Sequence, residues 1–141
     1  MSESIRPRRS CLYLPAANLK ALEKAKTLPA DALIFDLEDS VAPETKPEAR
    51  AALVQALAGG GYGAREIVVR VNALSTPWGQ DDLRALAPAG AHAILVPKVE
   101  TGAEIEALDA ALSEAGFPKS GGLWVMIETA RAIFNLQAIA D

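Results

Sequence analysis

Ala32-Leu33-Ile34-Phe35-Asp36-Leu37-Glu38-Asp39 runs from an unbroken apolar stretch directly into three closely spaced carboxylates. The apolar part is short and has no polar face, which predicts a strand buried on both sides, as in a parallel sheet. The carboxylates then mark the carboxyl end of that strand, where α/β proteins bind their ligands. Four other runs read the same way: Cys11-Leu12-Tyr13-Leu14, Ile67-Val68-Val69-Arg70-Val71, Ala93-Ile94-Leu95-Val96 and Leu123-Trp124-Val125-Met126-Ile127.

Helical patterns lie between and after these runs. Asn18–Lys26 carries Leu19, Leu22 and Ala25 at helical spacing, and residues 47–58 open on a proline suited to a first turn. Asp81–Leu86, Thr101–Ala115 and Ala130–Ala140 complete five βα units, which predicts an α/β protein with a parallel sheet. Glycines 59, 60, 61, 63, 90, 121 and 122 fall between a helix and the next strand and read as stops and turns. Two architectures fit this order. One is a flavodoxin-like doubly wound sheet, which suits the length. The other is the first five units of a TIM (β/α)8 barrel. Strand ends near Pro15, Glu38, Asn72, Val99 and Glu128 are 23 to 34 residues apart, against roughly 31 per unit in a whole barrel, so spacing does not choose between them.

Composition excludes several classes. With 141 residues, half of them apolar, and a net charge of -4, the chain is neither disordered nor strongly basic. One cysteine makes no disulfide scaffold. The absence of a basic tract speaks against nucleic acid as a partner. No run reaches the ~18 apolar residues of a membrane span, and MSESIRPRRS does not lead into a signal-peptide pattern. The expectation is a single cytoplasmic domain over residues 1–141.

The strand ends hold the chemistry. Asp36 and Glu38 share one side of the second strand and Asp39 lies beyond its tip. Three such acids repel unless a cation or donors compensate. They suit a metal-water or substrate shell, or else a salt-bridged, helix-capping cluster. Arg70, in an apolar strand, is costly to bury unpaired and its fork suits a carboxylate or keto-acid oxygen. The alternative is a structural pair with an acid near position 38. Asn72 follows at the same strand tip. Lys98 is a candidate substrate-binding or Schiff-base lysine, or a structural ion-pair partner. Glu128 follows five apolar residues and could serve Mg²⁺, which takes one or two carboxylates plus substrate oxygens, or could cap the next helix.

Other residues carry less. His92, the sole histidine, precedes the fourth strand, away from the site, and reads as structural. Cys11 reads as an inert core thiol. Gly59-Gly60-Gly61-Tyr62-Gly63 lacks the lysine and the strand context of a phosphate loop. Residues 75–81 read as a lid or a surface loop, with Asp81 capping the next helix. Arg6, Arg8 and Arg9 read as a solvated basic tail.

Taken in order, Arg9-Ser10-Cys11-Leu12-Tyr13-Leu14-Pro15, Ile34-Phe35-Asp36-Leu37-Glu38-Asp39-Ser40-Val41, Lys46 with Ala49-Arg50, Val69-Arg70-Val71-Asn72, Val96-Pro97-Lys98-Val99 and Ile127-Glu128-Thr129-Ala130 resemble one family. It is the citrate lyase beta subunit-like group of the HpcH/HpaI aldolases, related to the malyl-CoA lyases. The resemblance implies a TIM barrel, of which this chain would supply the N-terminal part, ending after the fifth βα unit. It implies Mg²⁺-dependent carbon–carbon cleavage of a citryl- or malyl-type thioester on CoA or an acyl-carrier protein, giving an acetyl thioester and a 2-keto acid such as oxaloacetate. It further implies a homo-oligomer, a trimer. By motif, Arg70 would bind keto-acid oxygens, Glu128 would be one of two metal carboxylates, and Glu38 and Asp39 would support the metal's water shell. Asn72 and Lys98 are further substrate-binding candidates by their position at the strand ends, not by the resemblance. In the family the second metal carboxylate follows the sixth strand, so the expectation is a fragment that does not turn over alone. Thioester hydrolysis within the same family and a non-enzymatic α/β binding module are the competing readings. A receiver-like module fits poorly, because the third strand ends in Arg70 and Asn72 rather than a phosphoacceptor acid.

Overall fold

Strand order separates the two architectures. A computed structural model describes residues 5–141, so residues 1–4 of the N-terminal segment read against a signal peptide lie outside the described residues. Five parallel strands pair in the order β1-β2-β3-β4-β5. They are β1 (Cys11–Pro15), β2 (Ala32–Asp36), β3 (Glu66–Arg70), β4 (Ala93–Val96) and β5 (Gly122–Val125). A flavodoxin-like sheet runs 2-1-3-4-5 and places its first strand inside. Here every strand pairs with its neighbour in sequence, as in a barrel wall, and the doubly wound alternative is set aside. The helices are α1 (Leu19–Ala25), α2 (Lys46–Gly59), α3 (Gly79–Leu86), α4 (Gly102–Glu114), α5 (Ala130–Phe134) and α6 (Leu136–Ala140). No helix of the described residues is long and apolar enough to cross a membrane.

Alternation along the strands divides the apolar residues into two clusters. Leu33, Phe35, Ile67, Val69, Ile94 and Val96 face the helices and pack on Leu22, Leu53, Leu83, Leu108 and Leu112. The opposite face is small: Ile34, Val68, Ala93 and Leu95, with Trp124 and Met126 against them. This is the layered arrangement of a barrel, with an outer helical coat and an inner stack of strand side chains. The polar groups of the inner face sit at its two ends, Asp36 and Arg70 at the upper end and Glu66 at the lower.

Three expectations need correction. Cys11 is exposed rather than buried. It opens β1, which is an edge strand among the described residues, so no second strand covers it. The helix expected over Ala130–Ala140 is broken at Asn135, which leaves the helical region and donates through Nδ2 to Glu100 O at 2.9 Å. That bond anchors the α5–α6 corner to the loop after β4. Arg8 and Arg9 are not a solvated tail. Arg8 makes a forked pair with Glu66 (2.6 and 2.9 Å), and Arg9 makes one with Asp31 (2.9 Å on both arms). They tie the N-terminal segment to the lower end of β2 and β3.

His92 sits at that lower end, as expected for a structural residue. Its Nδ1 accepts the Ile67 amide at 2.8 Å. Accepting requires the neutral ring, and burial pushes the imidazole pKa below its usual 6.5. A depressed histidine adds stability that is present above the unfolded pKa and is lost as pH falls through the folded value. The melting temperature should therefore fall as pH drops below about 6.5, with a part of that loss absent in His92→Gln, which keeps an acceptor that does not titrate. Parallel melts of the two proteins from pH 7.5 to 5 check it; identical profiles would contradict this role.

Candidate active site

β2 and β3 end in register, with Asp36 directly opposite Arg70. Both side chains lie on the inner face and they meet as a two-pronged pair. Arg70 Nε donates to Asp36 Oδ1 and Nη2 to Oδ2, each at 2.7 Å. Burial alone would raise the Asp36 carboxyl. The Arg70 guanidinium, the Ser40 side chain and the Glu38 amide together hold it below its ordinary value. The same bond pushes the Arg70 guanidinium further up. The Arg70 fork also lies over the Tyr13 ring, 5.1 Å from its centroid. Its remaining arm, Nη1, reaches Glu38 Oε2 and Met126 Sδ, both at 3.5 Å.

Glu38 is buried just past the end of β2. Its Oε1 accepts from Lys98 Nζ at 2.9 Å, while Oε2 is buried with no hydrogen-bond partner. Asp39 is exposed, with Lys98 Nζ 3.9 Å away. Lys98 thus makes an ion pair to an adjacent acid at the strand ends, the structural reading of the two raised for it. Its own amide donates to Glu128 Oε1 at 2.8 Å. Lys98 has a left-handed backbone, φ 55°, and is the only non-glycine residue with positive φ among the described residues. Such a conformation costs an ordinary residue roughly 1–2 kcal/mol. Glu128 is exposed at the end of β5, just ahead of the Thr129 cap of α5.

The structure therefore brings Arg70, Glu38, Asp39, Lys98 and Glu128 together, and sets Asn72 behind them. Asn72 is buried, and its amide nitrogen donates to Leu37 O (3.0 Å) and to Asp82 Oδ2 (2.7 Å). Asp82, wholly buried in α3, also accepts the Asn72 backbone amide and Arg50 Nε. Lys46, at the start of α2, is buried as well. Its Nζ donates to Leu37 O and Glu38 O at 2.8 and 2.6 Å and lies 5.2 Å from the Trp78 ring centroid. Burial lowers the Lys46 pKa. Two helices thus hold the carbonyls of the acid-bearing turn from behind. Sequence reading did not assign these roles to Lys46 or Asp82, and no local pattern in the sequence marks either as buried. Asp81 does not cap α3. It lies within the first turn and pairs with Arg84 at 3.3 Å.

A cavity of about 370 Å³ opens beside this cluster. Its lining includes Glu38 and Lys98 together with Leu74, Ser75, Pro97 and Leu108. The residues expected as a lid approach it through Ser75 and Thr76, where Thr76 Oγ1 bonds Ala73 O at 2.6 Å. Among the described residues no three metal-binding side chains converge. The donors present are all hard oxygens: the Glu128 carboxylate and Glu38 Oε2, which has no hydrogen bond and only the Arg70 Nη1 ion pair at 3.5 Å. They fit a partial shell for an ion such as Mg²⁺, whose other positions go to water and substrate.

Residues 9–141 match the HpcH/HpaI aldolase/citrate lyase family. The chain belongs to the HpcH/HpaI aldolase/citrate lyase family. It is 46% identical over 140 residues to a (3S)-malyl-CoA thioesterase of Cereibacter sphaeroides, covering 99% of this chain and 47% of that protein. It is 39% identical to the citrate lyase subunit beta of Escherichia coli K12, covering 96% of this chain and 46% of that protein. The citrate lyase beta subunit of M. tuberculosis, solved with oxaloacetate and magnesium, superposes with a TM-score of 0.73 at 32% identity, covering 94% of this chain and 54% of that one. The chain spans about half the length of the curated relatives it matches. For an HpcH/HpaI member, the fold is a TIM barrel, and this chain supplies five of its βα units.

Proposed function

We propose that this chain carries the Arg70 half of a Mg²⁺-dependent active site that cleaves a carbon–carbon bond in a malyl- or citryl-type thioester. The thioester is held on CoA or an acyl-carrier protein, and the products are an acetyl thioester and a 2-keto acid. The observation that carries this is the Arg70 fork. Asp36 fixes it at the end of β3, and one arm is left beside Glu38 on the face where substrate would bind.

Mg²⁺, when bound, would supply Lewis-acid polarisation of the hydroxy-acid oxygens. Glu128 would hold it, with Glu38 and Asp39 accepting from its water. Arg70 presents a fixed positive charge to the carboxylate of the acid and needs no reorganisation as charge moves during cleavage. Lys98 places a second cation at the same edge. Asn72 acts through Leu37, keeping the turn that bears Glu38 in place. A homo-oligomer completes the proposal.

Hydrolysis of the thioester is the second reading, favoured by the 46% identity to a named thioesterase. Products separate the two. Malyl-CoA with Mg²⁺ gives glyoxylate and acetyl-CoA by carbon–carbon cleavage, but malate and free CoA by hydrolysis. For the binding site itself, calorimetry with Mg²⁺ and oxaloacetate should give heat with this chain and none with Glu128→Ala. Equal heats from both would remove Glu128 from the site.

A further inference from the structure

We propose that Lys98 is a positioning residue whose left-handed backbone, more than its ammonium, sets the place of the Glu128 carboxylate. The proposal rests on the reading of Glu128 as a cation-holding group.

Lys98 sits where β4 gives way to the loop before α4, with Pro97 ahead of it and Val99 buried behind. An extended residue there would continue the line of β4. Instead φ is 55°, and the amide of residue 98 points to Glu128 Oε1 at 2.8 Å, across to the next strand end. The same turn sends Nζ the other way, to Glu38 Oε1 at 2.9 Å. One residue thus spans two carboxylates that leave different strands, β2 and β5. Lysine gains nothing intrinsic from a left-handed backbone, which only glycine adopts freely and asparagine or aspartate with some ease. Strain kept in a non-glycine residue at a site marks a conformation that the surroundings enforce. The two contacts are separable. The ammonium bond joins a half-exposed lysine to the buried Glu38, whereas the amide bond, though exposed, does not involve the side chain.

The test compares variants that lose the ammonium alike and differ only in backbone freedom. Lys98→Gly keeps φ near 55° without strain. Lys98→Val disfavours it strongly, because a β-branched residue is a steric outlier there. Lys98→Arg restores a cation. The first readout, without metal, is the chemical shift of the residue 98 amide in ¹⁵N-labelled chain, with Glu128→Ala as the reference for a broken bond. The expected result is a bonded amide in wild type, Lys98→Gly and Lys98→Arg, and a shift toward the reference in Lys98→Val. The second readout is Mg²⁺ titration by calorimetry, with Lys98→Val at least tenfold weaker than Lys98→Gly, both lacking the ammonium. Thermal melts confirm that each variant is folded. An unfolded Lys98→Val leaves wild type, Lys98→Gly and Glu128→Ala to decide by the amide shift. If Lys98→Gly shows the broken-bond shift, or Gly and Val variants behave alike, the proposal is overturned. If the amide pattern holds while wild type takes up no Mg²⁺, the backbone assignment stands and the reading of Glu128 as a metal ligand fails.

Discussion

Asp36→Ala should cost the fold about 3–5 kcal/mol, because it leaves the Arg70 guanidinium buried and unpaired. Both side chains are almost wholly enclosed, and Asp36 also holds the Glu38 and Ser40 amides. Removing it frees four donors at once, three of them on the buried residues Arg70 and Glu38. Urea unfolding checks the magnitude through the midpoint. A change below about 1 kcal/mol, in the range of exposed pairs, would mean that water already reaches the pair. The pH dependence has a defined sign. The folded Asp36 pKa lies below the ordinary 3.8. Its contribution is complete above that ordinary value and is lost as pH falls through the lower, folded value. Asp36→Ala should therefore flatten the acid limb of the stability profile.

The strands were legible because buried parallel strands leave a strong mark, an apolar run without a polar face. Their pairing order was not, since β1-β2-β3-β4-β5 and the doubly wound order use the same runs. Only the family motifs pointed to the barrel before the coordinates did. Arg70 was legible as an anomaly: a guanidinium at the end of Ile67-Val68-Val69. Its partner was half legible. Asp36 and Arg70 each close a five-residue strand, so a register that aligns the strands places them opposite. Asn72 was read as facing substrate, by position alone. Its place behind Leu37 depends on how α3 presents Asp82, a tertiary fact with no local signature. Lys46 is similar, because nothing near it in sequence says that α2 turns its first residue inward. The Lys98 backbone was the least legible of all. A positive φ is written into a sequence when glycine stands there, and here lysine does.

Replacing the pair, rather than breaking it, isolates what Arg70 does for ligand. Asp36→Leu combined with Arg70→Met removes both charges and fills the space with apolar atoms. Buried ion pairs exchanged in this way are often neutral, or gain 1–4 kcal/mol, so the double variant should unfold near the wild-type urea midpoint while either single change does not. Oxaloacetate binding should respond in the opposite pattern. Charge-assisted hydrogen bonds are worth roughly 1.5–3 kcal/mol, so loss of the Arg70 arm should weaken the keto acid by about ten- to 150-fold, in the folded double variant as much as in Arg70→Met alone. Arg70→Lys should not restore it, because an ammonium cannot engage Asp36 on two arms and still offer a third in the plane of a carboxylate. Calorimetry with oxaloacetate, in the presence of Mg²⁺, reads all four proteins on one scale. Unchanged affinity in the folded double variant would confine Arg70 to structure, a partner for Asp36 at the strand ends, and would move the keto-acid site to Lys98. Weakened affinity with an intact fold separates the two roles, since the interaction lost is then one that the fold does not need.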